Sequence, residues 1–176
     1  MNKILKSNIK QDLIIIDEYE FTDIAAEFIN SEVYMKLANE VHHGISRLKH
    51  SFKVAKATYH IAKSFGLDYR SATRAAFLHD FFFNDQMLGN INKMQKYKYH
   101  PQIALLNAQK YFYLNEKEID GILNHMYPLT PNKPKTLESM TLNLVDKGVA
   151  ISDHFSVAYE YTKKLTKKIQ MLIICL

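Results

Sequence analysis

Apolar residues recur along the chain at three- and four-residue spacing, which predicts helices with one buried face. His50, Val54, Ala57, Ile61 and Phe65 draw one stripe, and Leu48, Phe52, Ala55, Tyr59 and Ala62 draw another beside it. Together they predict a long helix from about Arg47 to Phe65, stopped by Gly66 in the manner of a C-terminal glycine. An earlier helix is expected to start after Thr22 or Asp23 and run to about Val41, with a break near Asn30-Ser31 and Gly44 interrupting beyond it. Asp68 is placed to cap a following helix to about Phe82, with Ala72, Ala76, His79 and Phe83 on one face. Residues 84–99 are expected to form a polar, partly mobile insertion, a candidate specificity lid or a plain surface loop, and Pro101 to open a helix to about Leu114. Asn115 followed by Glu118 is a capping box for a helix ending near Met126. Pro128, Pro131 and Pro134 force an extended loop. Thr136 then caps a helix over about Leu137 to Ser152, and a last helix is expected over most of 156–174. The first 20 residues are ambiguous, since Leu13 to Ile16 suits a short strand or part of a helix.

Composition agrees with an all-α fold of six to eight helices and no sheet. The 176 residues hold five glycines and four prolines, roughly 5% of the chain against an ordinary ~12%. That shortage argues against turn-rich sandwiches and barrels. The length suits a single domain over 1–176, and no repeat or composition shift divides it. One cysteine, Cys175, excludes both an intramolecular disulfide and a cysteine-based zinc cluster. The net charge of +5 is too mild to indicate nucleic-acid binding, and no Arg-rich helix is present. No run approaches the ~20 apolar residues of a membrane span, and Met1 to Lys6 is not followed by a signal-like apolar segment. The expectation is a cytoplasmic protein without stable membrane insertion. Lys163, Lys164, Lys167 and Lys168 precede the apolar end Ile169 to Leu176; an amphipathic helix docked on the core is expected there, with a membrane-surface or oligomer contact as the alternative. The oligomeric state is left open.

Candidate chemistry lies in polar residues on apolar faces. His79 lies on the inner face of its helix, His50 starts the inner stripe of the preceding one, and His125 stands three residues from Ile122. Asp146 falls on the same side as Leu142 and Val149. Any one of these is ordinarily a hydrogen-bonded core polar group. A buried carboxylate needs a partner, however, and a cation is the simplest partner for several carboxylates and imidazoles at once. Such donors suit Zn, Fe, Mn, Co or Ni, and a site richer in oxygen and water suits Mg. His79 and Asp80 are adjacent, so their side chains point ~100° apart on a helix and can flank one cluster.

The ordered set His50-Ser51, Leu78-His79-Asp80, His100-Pro101, His125 and Asp146 resembles the HD-domain metal-dependent phosphohydrolases. Its order is similar to the six-ligand, two-metal branch of that superfamily, whereas the one-metal branch needs only His50, His79, Asp80 and Asp146. The matching span is about 41–155. Locally, His43-Gly44, Leu67-Asp68-Tyr69-Arg70 and the run from His125 to Thr130 are similar to small bacterial HD-domain proteins. The resemblance implies one or two divalent metal ions. His50, His79, Asp80 and Asp146 would hold the first, and Asp80, His100 and His125 the second, with Asp80 shared. It implies hydrolysis of a phosphate ester of a nucleotide or other small phosphorylated metabolite, with a water activated between the metals as nucleophile. Lys147 and Arg47 are candidate cations for the substrate phosphate, and His43 a candidate proton donor or supporting residue. His42, His60 and His154 fit no pattern. The sequence departs from the family where Phe81-Phe82-Phe83-Asn84 stands in place of an Ile-Gly-Lys-like segment, so a lysine sometimes used near the substrate is missing. Two alternatives accompany the resemblance: a di-iron oxygenase of the same fold, and a catalytically silent binding module stabilised by metal.

Overall fold

In the computed structural model the described residues are 18–42, 44–87 and 92–174, the side chains of 42, 93 and 156–174 excepted. The expectations for Leu13 to Ile16, for His43 and for side chains of the final basic-apolar segment lie outside them. Helix α1 covers 18–29, α2 Glu32–Met35, α3 Arg47–Ser64, α4 Tyr69–Leu78, α5 Lys93–Tyr111, α6 Glu116–Asn124 and α7 Leu137–Ile174. Short 3-10 turns occupy Lys36–Asn39 and Asn84–Gln86. The fold is all-α. Its small exception is a two-stranded antiparallel hairpin, β1 Val41–His42 with β2 Ile45–Ser46, in register Val41 to Ser46 and His42 to Ile45. The alternation there is too short to stand out in the sequence. Gly44 turns the chain at φ +86°, where a side chain would be strained.

Helix α3 packs against α4 and α7, α4 against α6 and α7, and α6 against α5 and α7. An aromatic cluster ties α1 and α2 to this bundle. Phe28 stacks on Phe77 with ring centroids 4.6 Å apart, and Tyr34 lies 5.4 Å from Phe81. The Tyr34 hydroxyl donates to the Phe77 carbonyl at 2.6 Å, so this fully buried phenol is satisfied. Val54, Tyr59, Leu78, Ile122 and Leu142 complete the middle of the core.

Helix α1 is already formed at residue 18, ahead of the expected start after Thr22 or Asp23, and three further helix boundaries differ from expectation. First, α4 ends at Leu78 rather than about Phe82. The chain turns so that Phe81 enters the aromatic core, and Phe82 lies under the Arg47 guanidinium, 3.7 Å from ring to Cζ. Second, α5 begins at Lys93, so residues 93–99 are its first turns rather than part of an insertion, and Pro101 lies inside the helix. A full capping box upstream outweighs the missing proline N–H: the Asn92 side chain accepts from Gln95 N, and the Gln95 side chain accepts from Asn92 N, both at 2.9 Å. Third, α7 is one helix of 38 residues where two were expected. No glycine or proline falls between Ala150 and Ile174, so the backbone has no local reason to break. No helix of the described residues is long and apolar enough to cross a membrane.

Candidate metal centre

Five elements deliver six side chains to one place. His50 sits in the first turn of α3, His79 caps the C-terminus of α4 with Asp80 next to it, His100 lies within α5, His125 caps the C-terminus of α6, and Asp146 lies within α7. They form two groups, His50–His79–Asp146 and Asp80–His100–His125, and within each the potential ligand atoms lie within 4.8 Å of one another. In the first group the Asp146 Oδ1 lies 3.0 Å from His50 Nε2 and 3.4 Å from His79 Nε2. In the second, Asp80 Oδ1 lies 3.4 Å from His100 Nε2 and 3.9 Å from His125 Nε2. The other Asp80 oxygen, Oδ2, turns back to the first group, 3.8 Å from His79 Nε2.

Carbonyls of their own helices orient three imidazoles. The last carbonyls of a helix lack intrahelical donors. His79 Nδ1 donates to the Ala76 carbonyl at 2.7 Å, and His125 Nδ1 to the Ile122 carbonyl at 2.8 Å, each three residues back. His100 Nδ1 donates to the Lys96 carbonyl at 2.8 Å. A carbonyl only accepts, so each of these Nδ1 atoms carries the proton and each Nε2 of a neutral ring presents a lone pair to the centre. Two consequences follow. His79 Nε2 is buried without any hydrogen-bond partner. His100 Nε2 and His125 Nε2 face each other at 2.9 Å, an arrangement that two neutral rings with protonated Nδ1 cannot satisfy by hydrogen bonding. A cation beside these atoms removes both conflicts, so the donor set fits a metal.

His50 is held differently. Its Nδ1 faces the carboxylate of Asp153, Oδ2 at 3.1 Å, and Asp153 in turn pairs with Lys53. Burial works against the His50 imidazolium, yet Asp146, Asp80 and Asp153 outweigh it and hold the pKa up to about 9. For His125 burial and the neighbouring rings of His100 and His79 act together, and the pKa falls to about 3. Burial alone would raise Asp80, but His79, His100, His125 and His50 keep it below the ordinary carboxylate range. Asp146 is likewise held low, against its burial, by His50 and His79. Side chains of His50, Asp80 and Asp146 keep 13%, 16% and 12% of their surface open, while His79 and His125 keep 1%. The centre is therefore partly open to solvent at His50, Asp80 and Asp146 and closed at His79 and His125.

The cations nominated from sequence each have polar partners within the protein. Lys147 Nζ donates to the carbonyls of His125 at 3.1 Å and Asn143 at 3.2 Å. Asn143 Nδ2 reaches the same His125 carbonyl at 2.6 Å and the Tyr127 carbonyl at 2.7 Å. Both side chains thus fix the turn that follows α6. Arg47 is 2% exposed and donates to the Phe82 carbonyl at 2.8 Å and to Asn84 Oδ1 at 3.1 Å. His43 is outside the described residues, and His60 and His154 are exposed. The residues that the sequence did not reveal are Asp153, Asn143 and the three backbone carbonyls. Asp153 alone had a signal, standing seven residues and two helical turns after Asp146 on the inner face of α7.

The family model described as HD domain matches residues 47–158, most of the chain and all six clustered side chains. No curated protein and no solved structure matches the chain.

Proposed function

The chain belongs to the HD-domain family of metal-dependent hydrolases, and from that membership we propose that it hydrolyses a phosphate ester of a nucleotide or another small phosphorylated metabolite. The observation that carries this reading is the position of Asp80. It presents one oxygen to His100 and His125 and the other to His79, as a carboxylate shared between two cations must. His50, His79 and Asp146 would hold one cation with Asp80 Oδ2, and His100 and His125 the other with Asp80 Oδ1.

When bound, divalent cations in these groups supply Lewis acidity, which lowers the pKa of a water and neutralises charge on a phosphoryl group. The protein's own part is to keep the donors ready. Backbone carbonyls of Ala76, Lys96 and Ile122 hold three imidazoles in the tautomer that leaves Nε2 free. Clustered imidazoles keep Asp80 and Asp146 ionised at neutral pH. Lys147 and Asn143 fix the His125 carbonyl and hence the turn carrying that ring. The partly open side chains of His50, Asp80 and Asp146 give water and a phosphoryl group an approach, whereas His79 and His125 are closed off and Phe82 packs against His100. Nitrogen and oxygen donors of this kind favour Fe, Mn, Zn, Co or Ni over Mg.

The test is metal analysis of the purified protein and of Asp80→Ala, joined to a panel of nucleotides and sugar and aryl phosphates. Two divalent cations per chain in the parent, near-complete loss in the variant, and hydrolysis abolished by a chelator are expected. A parent that takes up no cation, or hydrolysis unaffected by chelation, overturns the reading.

A further inference from the structure

Asp153 stands outside both ligand groups, yet it is 3% exposed and faces a ring that belongs to one of them. A carboxylate buried this deeply needs a reason, because its desolvation is costly unless it is paired and hydrogen-bonded. Its two oxygens are divided. Oδ1 pairs with Lys53 Nζ, and Oδ2 lies 3.1 Å from His50 Nδ1. Lys53 is on the same helix as His50, three residues on, so one turn of α3 supplies both partners. His50 differs in this from the other three rings, whose Nδ1–H groups go to carbonyls of their own helices. The orienting acceptor of His50 comes instead from α7.

We infer that Asp153, clamped by Lys53, is the positioning residue of His50: it accepts the Nδ1–H, fixes the ring with Nε2 toward Asp146 and His79, and makes that group the tighter of the two cation sites. The inference rests on the functional reading above and deepens it. A carboxylate acceptor raises the basicity of a ligating imidazole more than an amide carbonyl does, and loss of such a partner typically costs about 10- to 100-fold in metal affinity. In the second group both rings rely on carbonyls alone. The two groups therefore release cations at different chelator concentrations, the Asp80–His100–His125 group first.

Chelator competition with Zn(II) or Co(II) on the full chain tests this. Asp153→Ala is expected to lose affinity at one of its two sites by about 10- to 100-fold, leaving the other unchanged. Asp153→Asn, whose amide oxygen still accepts, is expected to recover part of that loss. Lys53→Met keeps the carboxylate and is expected to lose less. With Co(II), the visible spectrum of the tighter site should change in Asp153→Ala and return toward the parent in Asp153→Asn. A purely structural role would instead lower the melting temperature of the metal-free protein without separating the two sites. If the parent binds two cations and Asp153→Ala binds both as tightly, the positioning role is overturned and the functional reading stands. A parent that binds none overturns both.

Discussion

The two ligand groups lie side by side with Asp80 facing both, but their supports differ. In the first group His50 is backed by a carboxylate from another helix, and Asp146 is 3.0 Å from its Nε2. In the second, His100 and His125 are backed by backbone carbonyls and meet each other at 2.9 Å with two lone pairs opposed. Their proton affinities differ as well: against its burial, Asp146, Asp80 and Asp153 hold His50 up to about 9, while burial beside His100 and His79 pushes His125 down to about 3. Anionic support keeps a site attractive to any cation, a proton included. Neutral support in a buried cluster leaves bases that few protons reach, free for a cation that several donors surround together.

The largest test of this contrast removes what the groups share. Asp80→Ala should empty both and lower phosphate-ester turnover by roughly 10²–10³-fold or more, read by metal analysis and steady-state kinetics. Truncating one group at a time is more selective. His100→Ala and His50→Ala should each retain one cation per chain; loss of both in either variant would mean that the groups do not act as two. Phe82→Ala removes the ring 5.2 Å from His100 and beneath Arg47. It should destabilise the fold by about 3 kcal/mol, visible in denaturant titration, and weaken the second group more than the first.

Two smaller effects concern the turn behind His125. Lys147→Met should lower stability by about 1 kcal/mol with little change in KM, since the ammonium already donates to two carbonyls. A rise in KM alone would mark Lys147 as a phosphate ligand. Asp120 accepts from Lys135 N at 2.9 Å and Thr136 N at 3.2 Å, tying the proline-rich loop to α6. Ser139, the Lys135 and Thr136 amides and Asn124 hold its pKa down against burial. A carboxyl depressed in the folded state contributes stability above its unfolded pKa of about 4 and loses it as pH falls through the lower folded value. Asp120→Asn should therefore cost about 1 kcal/mol at neutral pH and flatten that acid limb, as followed by thermal melts between pH 3 and 7.

Local signals in the sequence carried much of this far. The capping boxes at Asn115, the Asp68 cap and the stripe through Val54 and Tyr59 were legible because each depends on neighbours within one turn. The ligand candidates were legible as polar residues at core positions and as an ordered set. Legibility failed where two local signals competed. Pro101 looked like a helix start, yet the capping box of Asn92 and Gln95 starts α5 upstream of it. Phe81 to Phe83 looked like helix continuation, yet burial in the aromatic cluster turned the chain out of α4.

By itself, then, the chain determined a set of amphipathic helices and which imidazoles and carboxylates must face inward, because periodicity and desolvation act residue by residue. Only the tertiary structure decided that Asp153, from α7, supports His50 and that the rings of His100 and His125 meet at 2.9 Å. It also turned Lys147 and Arg47 inward onto carbonyls. Those choices depend on distances of a few ångströms between segments far apart in sequence, which no local pattern encodes.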